Sequence, residues 1–252
     1  MSDLKEITAI ILPTYNSKNG IVKLLSQILI SVKRPKIVIV DDNSPDGTGK
    51  IVKKSFKSNK SVVVLERNNK QGRGSAVIAG FKYALKDKNI KYIIEMDSDF
   101  AHNPKDIPKL IKTIKKYDMV VASKYLPSSR ITKWNYKRKI LSKMANTYIK
   151  FVLGIPLKDN TNGFRCYRRE VLESIDLDRI KARGFIVLTE IAFFAYKNKF
   201  RIREVPINFT SQNLNRSNMS IQEIISSFLT VLRIKFSDNF KLRQRKYEES
   251  SF

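Results

Sequence analysis

Asp97 and Asp99 stand one residue apart, just after the apolar run Ile90-Lys91-Tyr92-Ile93-Ile94. That run reads as a buried strand, and the doublet falls where the strand gives way to a loop. In an extended chain, residues i and i+2 point the same way. Both carboxylates can then face one hard divalent cation. Mg2+ or Mn2+ takes one or two carboxylates and fills its shell with water and phosphate oxygens. The chemistry suggested is the grip of a metal–diphosphate pair. An acidic doublet alone can equally be a solvated turn or a helix cap, so its meaning depends on what surrounds it.

Other chemistries are disfavoured. His102 is the only histidine, which argues against histidine-based metal sites and Ser-His-Asp catalysis. His102 itself reads as a loop hydrogen-bonder. Cys166 is the only cysteine, so no intramolecular disulfide forms and a cytosolic setting is expected. Gly47-Thr48-Gly49-Lys50 lacks the spacing of a Walker loop.

The elements that must position the doublet are legible as an alternation. Apolar strand-like runs cover 7–12, 36–40, 61–65, 90–96 and 119–122, and helical patterns cover 20–32, 48–56, 74–85 and 104–115. Such alternation predicts a mostly parallel sheet covered by helices. Ligands of such sheets bind at the carboxyl ends of the strands. Three polar clusters fall there: 13–16, 41–48 and 97–99. Their convergence on one sheet edge is the expectation.

The second half differs. Residues 136–153 read as a long basic amphipathic helix, with Leu141, Met144, Ala145, Tyr148 and Val152 in one stripe. A polar loop follows at 154–165. Residues 185–196 read as an apolar helix containing Glu190, and 202–209 as one strand. Ser220-Ile221-Gln222-Glu223 is a capping box opening a last helix. The tail from Lys241 reads as charged and frayed. Formal net charge is +26 over 252 residues, which favours anionic partners: phosphorylated substrates, an anionic membrane surface or nucleic acid. No run is long and apolar enough for a transmembrane helix, so membrane contact is expected to be peripheral. Trp134, just before the long helix, reads as an interface anchor.

The clusters Leu12-Pro13-Thr14-Tyr15-Asn16, Val40 to Thr48, Glu95-Met96-Asp97-Ser98-Asp99 and Asn162 to Arg169 together resemble a family-2 glycosyltransferase of GT-A fold. Within that family they are most similar to the dolichyl-phosphate (polyprenyl-phosphate) mannose synthases, from about Ile7 to about Lys235. The resemblance implies one GT-A domain over 1–240. Its halves would be a nucleotide-sugar half (1–125) and an acceptor- and membrane-facing half (126–240), with 241–252 as a flexible tail. It implies inverting transfer of mannose from GDP-mannose to the phosphate of a polyprenyl lipid, with Mg2+ or Mn2+. A UDP-sugar donor or a non-lipid acceptor are the alternatives within the class. Outside it stand a non-catalytic GT-A module and a basic nucleic-acid-binding protein, the latter disfavoured because it gives the acidic doublet no role. The setting implied is the cytoplasmic face of a membrane, reached directly or through a small anchoring subunit.

Residue by residue, the resemblance assigns Pro13, Tyr15, Asn16, Asp41, Asp42, Lys70, Gly74, Asp97, Ser98 and Asp99 to the sugar nucleotide. It assigns Asp97 and Asp99 to the metal and, with Arg138, to catalysis. It assigns Lys124, Arg138, Ser142 and Arg216 to the acceptor phosphate. Arg138 and Ser142 are i and i+4, so they share a helix face. Bringing two anions together costs roughly 4 kcal/mol per pair of unit charges about 4 Å apart at an effective dielectric near 20. A cation and several Lys/Arg would offset that. The acceptor oxygen is already anionic, so no side chain must take its proton, and catalysis would rest on positioning and electrostatics. The chain departs from the family pattern at Ser17, Ala101 and Lys124, and at Gln212 and Asn218 in the late basic loop.

Overall fold

The computed structural model describes residues 7–180, 184–211 and 221–236, of which 221–225 are described as backbone only. The first half alternates as expected: β1 (Ile7–Thr14), α1 (Lys18–Ser31), β2 (Lys36–Asp41), α2 (Thr48–Ser55), β3 (Val62–Glu66), α3 (Arg73–Ala84), β4 (Ile90–Glu95), α4 (Ile107–Ile114) and β5 (Met119–Ser123). A 3-10 turn at Pro104–Asp106 leads into α4, its Asn103 side chain accepting from the Lys105 N–H. The second half adds β6 (Arg130–Thr132), α5 (Tyr136–Leu153), β7 (Arg165–Arg168), α6 (Arg169–Glu173), α7 (Ile186–Lys197), β8 (Ile202–Pro206), β9 (Asn208–Thr210) and α8 (Ile221–Phe236).

One seven-stranded sheet runs in the order β3-β2-β1-β4-β7-β5-β8. Its neighbours pair in parallel except β7, which is antiparallel to both β4 and β5. Residues of β1 alternate between the faces. Ala9 and Ile11 join the cluster under α3, α5, α6, α7 and α8, whereas Ile10 and Leu12 join the cluster under α1, α2 and α4. Two-sided burial explains the uninterrupted apolar strands.

The structure departs from the sequence expectation in its second half. The strand expected over 202–209 is two strands. β8 extends the main sheet, and β9 pairs in parallel with β6 in a separate ribbon. The α5 stripe is split. Asn146, Ile149 and Leu153 are buried, but Leu141 and Met144 turn outward with Tyr136, Ile140 and Phe151. Trp134 is half-buried, with its ring 5.6 Å from that of Phe209. The cap residue Ser220, Gln212, Arg216, Asn218 and the tail from 241 lie outside the described residues. Among the described residues, no helix is long and apolar enough to cross a membrane.

Candidate active site

The parallel strands end on one edge, and β7 starts there, because Arg165 lies opposite Glu95 on one side and Val121 on the other. The expected polar clusters therefore meet the loop 159–164 that feeds β7. In the first cluster, Pro13 is buried and its carbonyl accepts from the Ser98 hydroxyl (3.2 Å). Ser98 also lies 3.1 Å from the Ser17 hydroxyl, joining the β1 and β4 loops. Tyr15 and Asn16 are exposed beyond it. The Lys70 ammonium sits 3.9 Å over the Tyr15 ring, and the Asn16 N–H donates to Ser44 (3.0 Å).

Asp41 and Asp42 are both buried. Asp41 accepts from the Ser44 hydroxyl. Asp42 accepts from the N–H groups of Gln71 (3.0 Å) and Gly72 (2.7 Å) and from Arg67 Nη1 (3.0 Å). Gly72 has φ +89°, a conformation glycine adopts without steric cost, and this turn presents both N–H groups to one carboxylate. Asp42 is thus engaged by its own chain. These bonds tie the 67–72 loop to the end of β2. Gly74 is buried too, and a Cβ there would lie 2.6 Å from Val187 Cγ2 and 2.9 Å from the Gly184 carbonyl. Its side-chain face is filled by protein, so it lets α3 approach α7 closely.

At the acidic doublet, Arg73 approaches Asp97 Oδ1 with Nε and Nη2, each at 2.8 Å. The Asp97 N–H donates to His102 Nδ1 (3.2 Å), and His102 Nε2 lies 2.7 Å from Asn162 Oδ1. His102 therefore serves as a neutral loop hydrogen-bonder, with Nε2 carrying the proton, and burial holds its pKa down. Burial acts to raise Asp97, but Arg73 outweighs it, with His102 and Lys124 adding, and the carboxyl stays below the ordinary range. Asp99 is pushed up by the surrounding protein and then by Asp97, although the Ala101 N–H donates to its Oδ1 (2.9 Å). Beneath the doublet, Glu95 is fully buried and takes the Tyr167 hydroxyl (3.0 Å). Burial raises it to about 7.

A second cluster is assembled around Lys124. Its ammonium bonds both oxygens of Asp159, at 2.9 and 3.1 Å, and both residues are buried. The rings of Tyr125, Trp134 and Phe209 lie 5.1–5.6 Å from that ammonium. Tyr125 reaches towards Ser142 on α5, and burial first of all raises its phenol to about 12. Arg138 lies one turn earlier on α5, half-buried and partnered. Glu190 is buried on α7 and also partnered. Arg216, assigned by resemblance to the acceptor phosphate, lies outside the described residues.

The resemblance places Arg73 within a loop, Lys70 to Gly74, beside the diphosphate and sugar, but its grip on Asp97 was not foreseen, and Asp159, Gly163 and Arg165 were given no role in the site. Arg165 is fully buried and donates to the carbonyls of Asn162 (2.8 Å), Leu188 (2.6 Å) and Asn160 (2.7 Å), which fastens the 159–164 loop to α7. The signal available was the polar string Asp159 to Arg165 itself.

Solved structures share this architecture. Glucosyl-3-phosphoglycerate synthase from Mycobacterium tuberculosis, in complex with Mn2+, UDP and glucosyl-3-phosphoglycerate, superposes with a TM-score of 0.64 at 15% identity. The match covers 91% of this chain and 78% of that one. The same enzyme with UDP-glucose, Mn2+ and phosphoglyceric acid gives 0.64 at 16%. At that identity the likeness establishes the GT-A fold. Sequence relatives are nearer. Polyprenol monophosphomannose synthase of Mycolicibacterium smegmatis is 35% identical over 226 residues, which is 89% of this chain and 85% of the relative. Undecaprenyl-phosphate mannosyltransferase of Micrococcus luteus is 36% identical over 210 residues, 83% and 86% of the two chains. Residues 9–176 match the family described as Glycosyl transferase family 2. A GT-A sheet with its acidic doublet at the carboxyl edge, matched over most of its length by two mannosyltransferases, makes this chain a glycosyltransferase that belongs to family 2.

Proposed function

We propose that the enzyme transfers mannose, with inversion, from GDP-mannose to the phosphate of a polyprenyl lipid such as dolichyl phosphate. The acceptor class follows the two mannosyltransferases, one named for polyprenol and one for undecaprenyl phosphate. The observation carrying the reading is the position of Asp97 and Asp99, at the sheet edge where the donor-side loops and the Lys124–Asp159 cluster meet.

A divalent cation, Mg2+ or Mn2+, fits this donor set. Arg73 engages Oδ1 of Asp97 and the Ala101 N–H engages Oδ1 of Asp99, so each carboxylate presents its Oδ2. Among the described residues, no group of three or more His, Cys, Asp or Glu could form an all-protein cage. Two carboxylates completed by diphosphate oxygens suit a hard cation. When bound, the cation would supply charge neutralisation for the departing nucleoside diphosphate.

The chain's own groups do the rest. Tyr15, Asn16 and Lys70 flank the donor. Asp41 and Asp42 hold the 43–48 and 67–72 loops around it. The acceptor phosphate meets Arg138 and Ser142 on one face of α5, with Arg216 as a further donor. Lys124 is neutralised by Asp159 and fixes the loop beside the phosphate without adding net charge. No general base is needed for a phosphate oxygen. The lipid acceptor implies that the enzyme works as a peripheral protein at a bilayer, on its cytoplasmic face, directly through α5 or through a small anchoring subunit.

Incubation with labelled GDP-mannose, UDP-glucose or UDP-GlcNAc, each with dolichyl phosphate and Mg2+ or Mn2+, tests this. GDP-mannose should give labelled lipid, and Asp99→Ala should lower turnover on the order of a hundredfold or more. Product from UDP-glucose alone would reassign the donor. No product from any donor, or turnover surviving both EDTA and Asp99→Ala, would overturn the reading.

A further inference from the structure

Arg73 opens α3 at the end of the Asp42-bound loop and lays its guanidinium on the acidic doublet. Its Nε donates to Asp97 Oδ1, its Nη2 lies at ion-pair distance from the same oxygen, and the guanidinium stacks 4.7 Å over the Phe185 ring. Its side chain is 15% exposed, and neither of its buried Nη nitrogens has a hydrogen-bond partner. The seat is built by Gly163. A Cβ there would lie 2.1 Å from Nη2 and 3.0 Å from Cζ of Arg73, and 3.3 Å from Asp97 Oδ1. The backbone of the β7 loop therefore presses the guanidinium against the carboxylate.

The electrostatic consequence is simple. Two bare carboxylates present two negative charges to a cation, but with Arg73 in place the doublet and its neighbour carry a net charge near minus one. An arginine is never deprotonated at working pH, so this discount is permanent. A nucleoside diphosphate brings negative charge, which restores what Arg73 removes.

We propose that Arg73 is a positioning residue that makes the Asp97–Asp99 pair a poor cation site alone and a good one only with a nucleoside diphosphate bound. The inference rests on the metal-dependent reading above. It adds that the cation and the diphosphate enter as linked ligands, each raising the other's affinity by the same factor, with Arg73 setting that factor.

Mn2+ binding measured by titration calorimetry or electron paramagnetic resonance, with and without saturating GDP, tests it without turnover. The wild-type protein should bind Mn2+ weakly alone and on the order of tenfold or more tightly with GDP. Arg73→Gln should raise the GDP-free Mn2+ affinity on the order of tenfold and shrink the GDP effect by a similar factor. Arg73→Lys, which keeps the charge but loses the planar fork, should fall between the two. Gly163→Ala leaves Arg73 in the chain but evicts its head from Asp97, and should shift both quantities in the same direction as Arg73→Gln. Damage to the fold would lower the affinity in both conditions, which is the opposite sign. If wild-type protein couples Mn2+ to GDP but Arg73→Gln leaves the GDP-free affinity unchanged or weaker, the role of Arg73 is overturned and the metal reading stands. If wild-type protein binds no Mn2+ in either condition, both fall.

Discussion

Lys124 shows how a residue's neighbours revise what its type suggests. A lysine after a strand end, near an expected phosphate, invites the role of a phosphate grip. Here its ammonium is enclosed with Asp159, whose side chain has no solvent exposure, and the Lys124 N–H and the Thr161 hydroxyl complete that carboxylate's partners. Removing one member of a buried ion pair leaves the other charge stranded, at about 3–5 kcal/mol. Lys124→Met should therefore lower the unfolding free energy by about that amount in denaturant titration. Lys124→Met/Asp159→Leu should recover only part of the loss, because it leaves no orphan charge but strips the buried Lys124 N–H and the Thr161 hydroxyl of their acceptor. If the single variant is as stable as the parent, the pair is not the strut described here.

Among the elements, β7 matters most for the site. It has four residues, Arg165–Arg168, and it is the strand that runs backwards in the seven-stranded sheet. Its reversal carries the 159–164 loop to the same edge as the carboxyl ends of β1, β2 and β4. α5 has two jobs. Its buried row anchors it, while Tyr136, Ile140, Met144 and Phe151 project outward, at 74%, 41%, 60% and 87% exposure. At 100° per residue, Lys139, Lys143 and Lys150 flank that row, and all three are exposed. An apolar row bordered by lysines suits an anionic bilayer, with about 1 kcal/mol from each lysine near the surface. Met144→Glu/Phe151→Glu should cut co-sedimentation with phosphatidylglycerol vesicles on the order of tenfold or more. Turnover of a short, water-soluble prenyl phosphate should persist. Unchanged vesicle binding would remove α5 from the membrane face.

For the whole molecule, stability should depend on acid through carboxylates held far from the site. Asp118 joins three strands at the opposite end of the sheet. It accepts from the Arg201 N–H (2.8 Å) and guanidinium (3.2 Å), and its carbonyl takes the Arg168 N–H (2.9 Å). Burial pulls the Asp118 carboxyl up, but the hydrogen bonds and charge of Arg201, then Arg168, hold it below the ordinary carboxylate range. A carboxyl lowered on folding contributes stability that is full above its unfolded pKa and is lost as pH falls through its folded one. Asp118→Asn should thus lower the thermal midpoint by a few degrees at pH 7, and the gap to wild type should narrow as acid titrates the carboxyl through its lowered folded pKa. A gap that persists unchanged in acid would show that the carboxylate's charge is not what matters. The net charge of +26 belongs to this scale too, since it draws the molecule to anionic surfaces in a salt-dependent way.

Most of the first half was legible in the residues. Buried parallel strands are apolar throughout and are punctuated by the polar loops that end them, so β1 to β5 and the position of Asp97 and Asp99 could be read from spacing. β7 could not, because four residues bracketed by arginines have no period to detect. The split between β8 and β9 was equally hidden, since both halves are strand-like and only their pairing partners differ. Local pattern determines which residues become strand or helix and which face is apolar. It carries no information about which side chains from distant segments meet, because that depends on the order and direction in which strands join the sheet. The grip of Arg73 on Asp97, the seat that Gly163 makes for it and the pairing of Lys124 with Asp159 were decided there, by the tertiary structure alone.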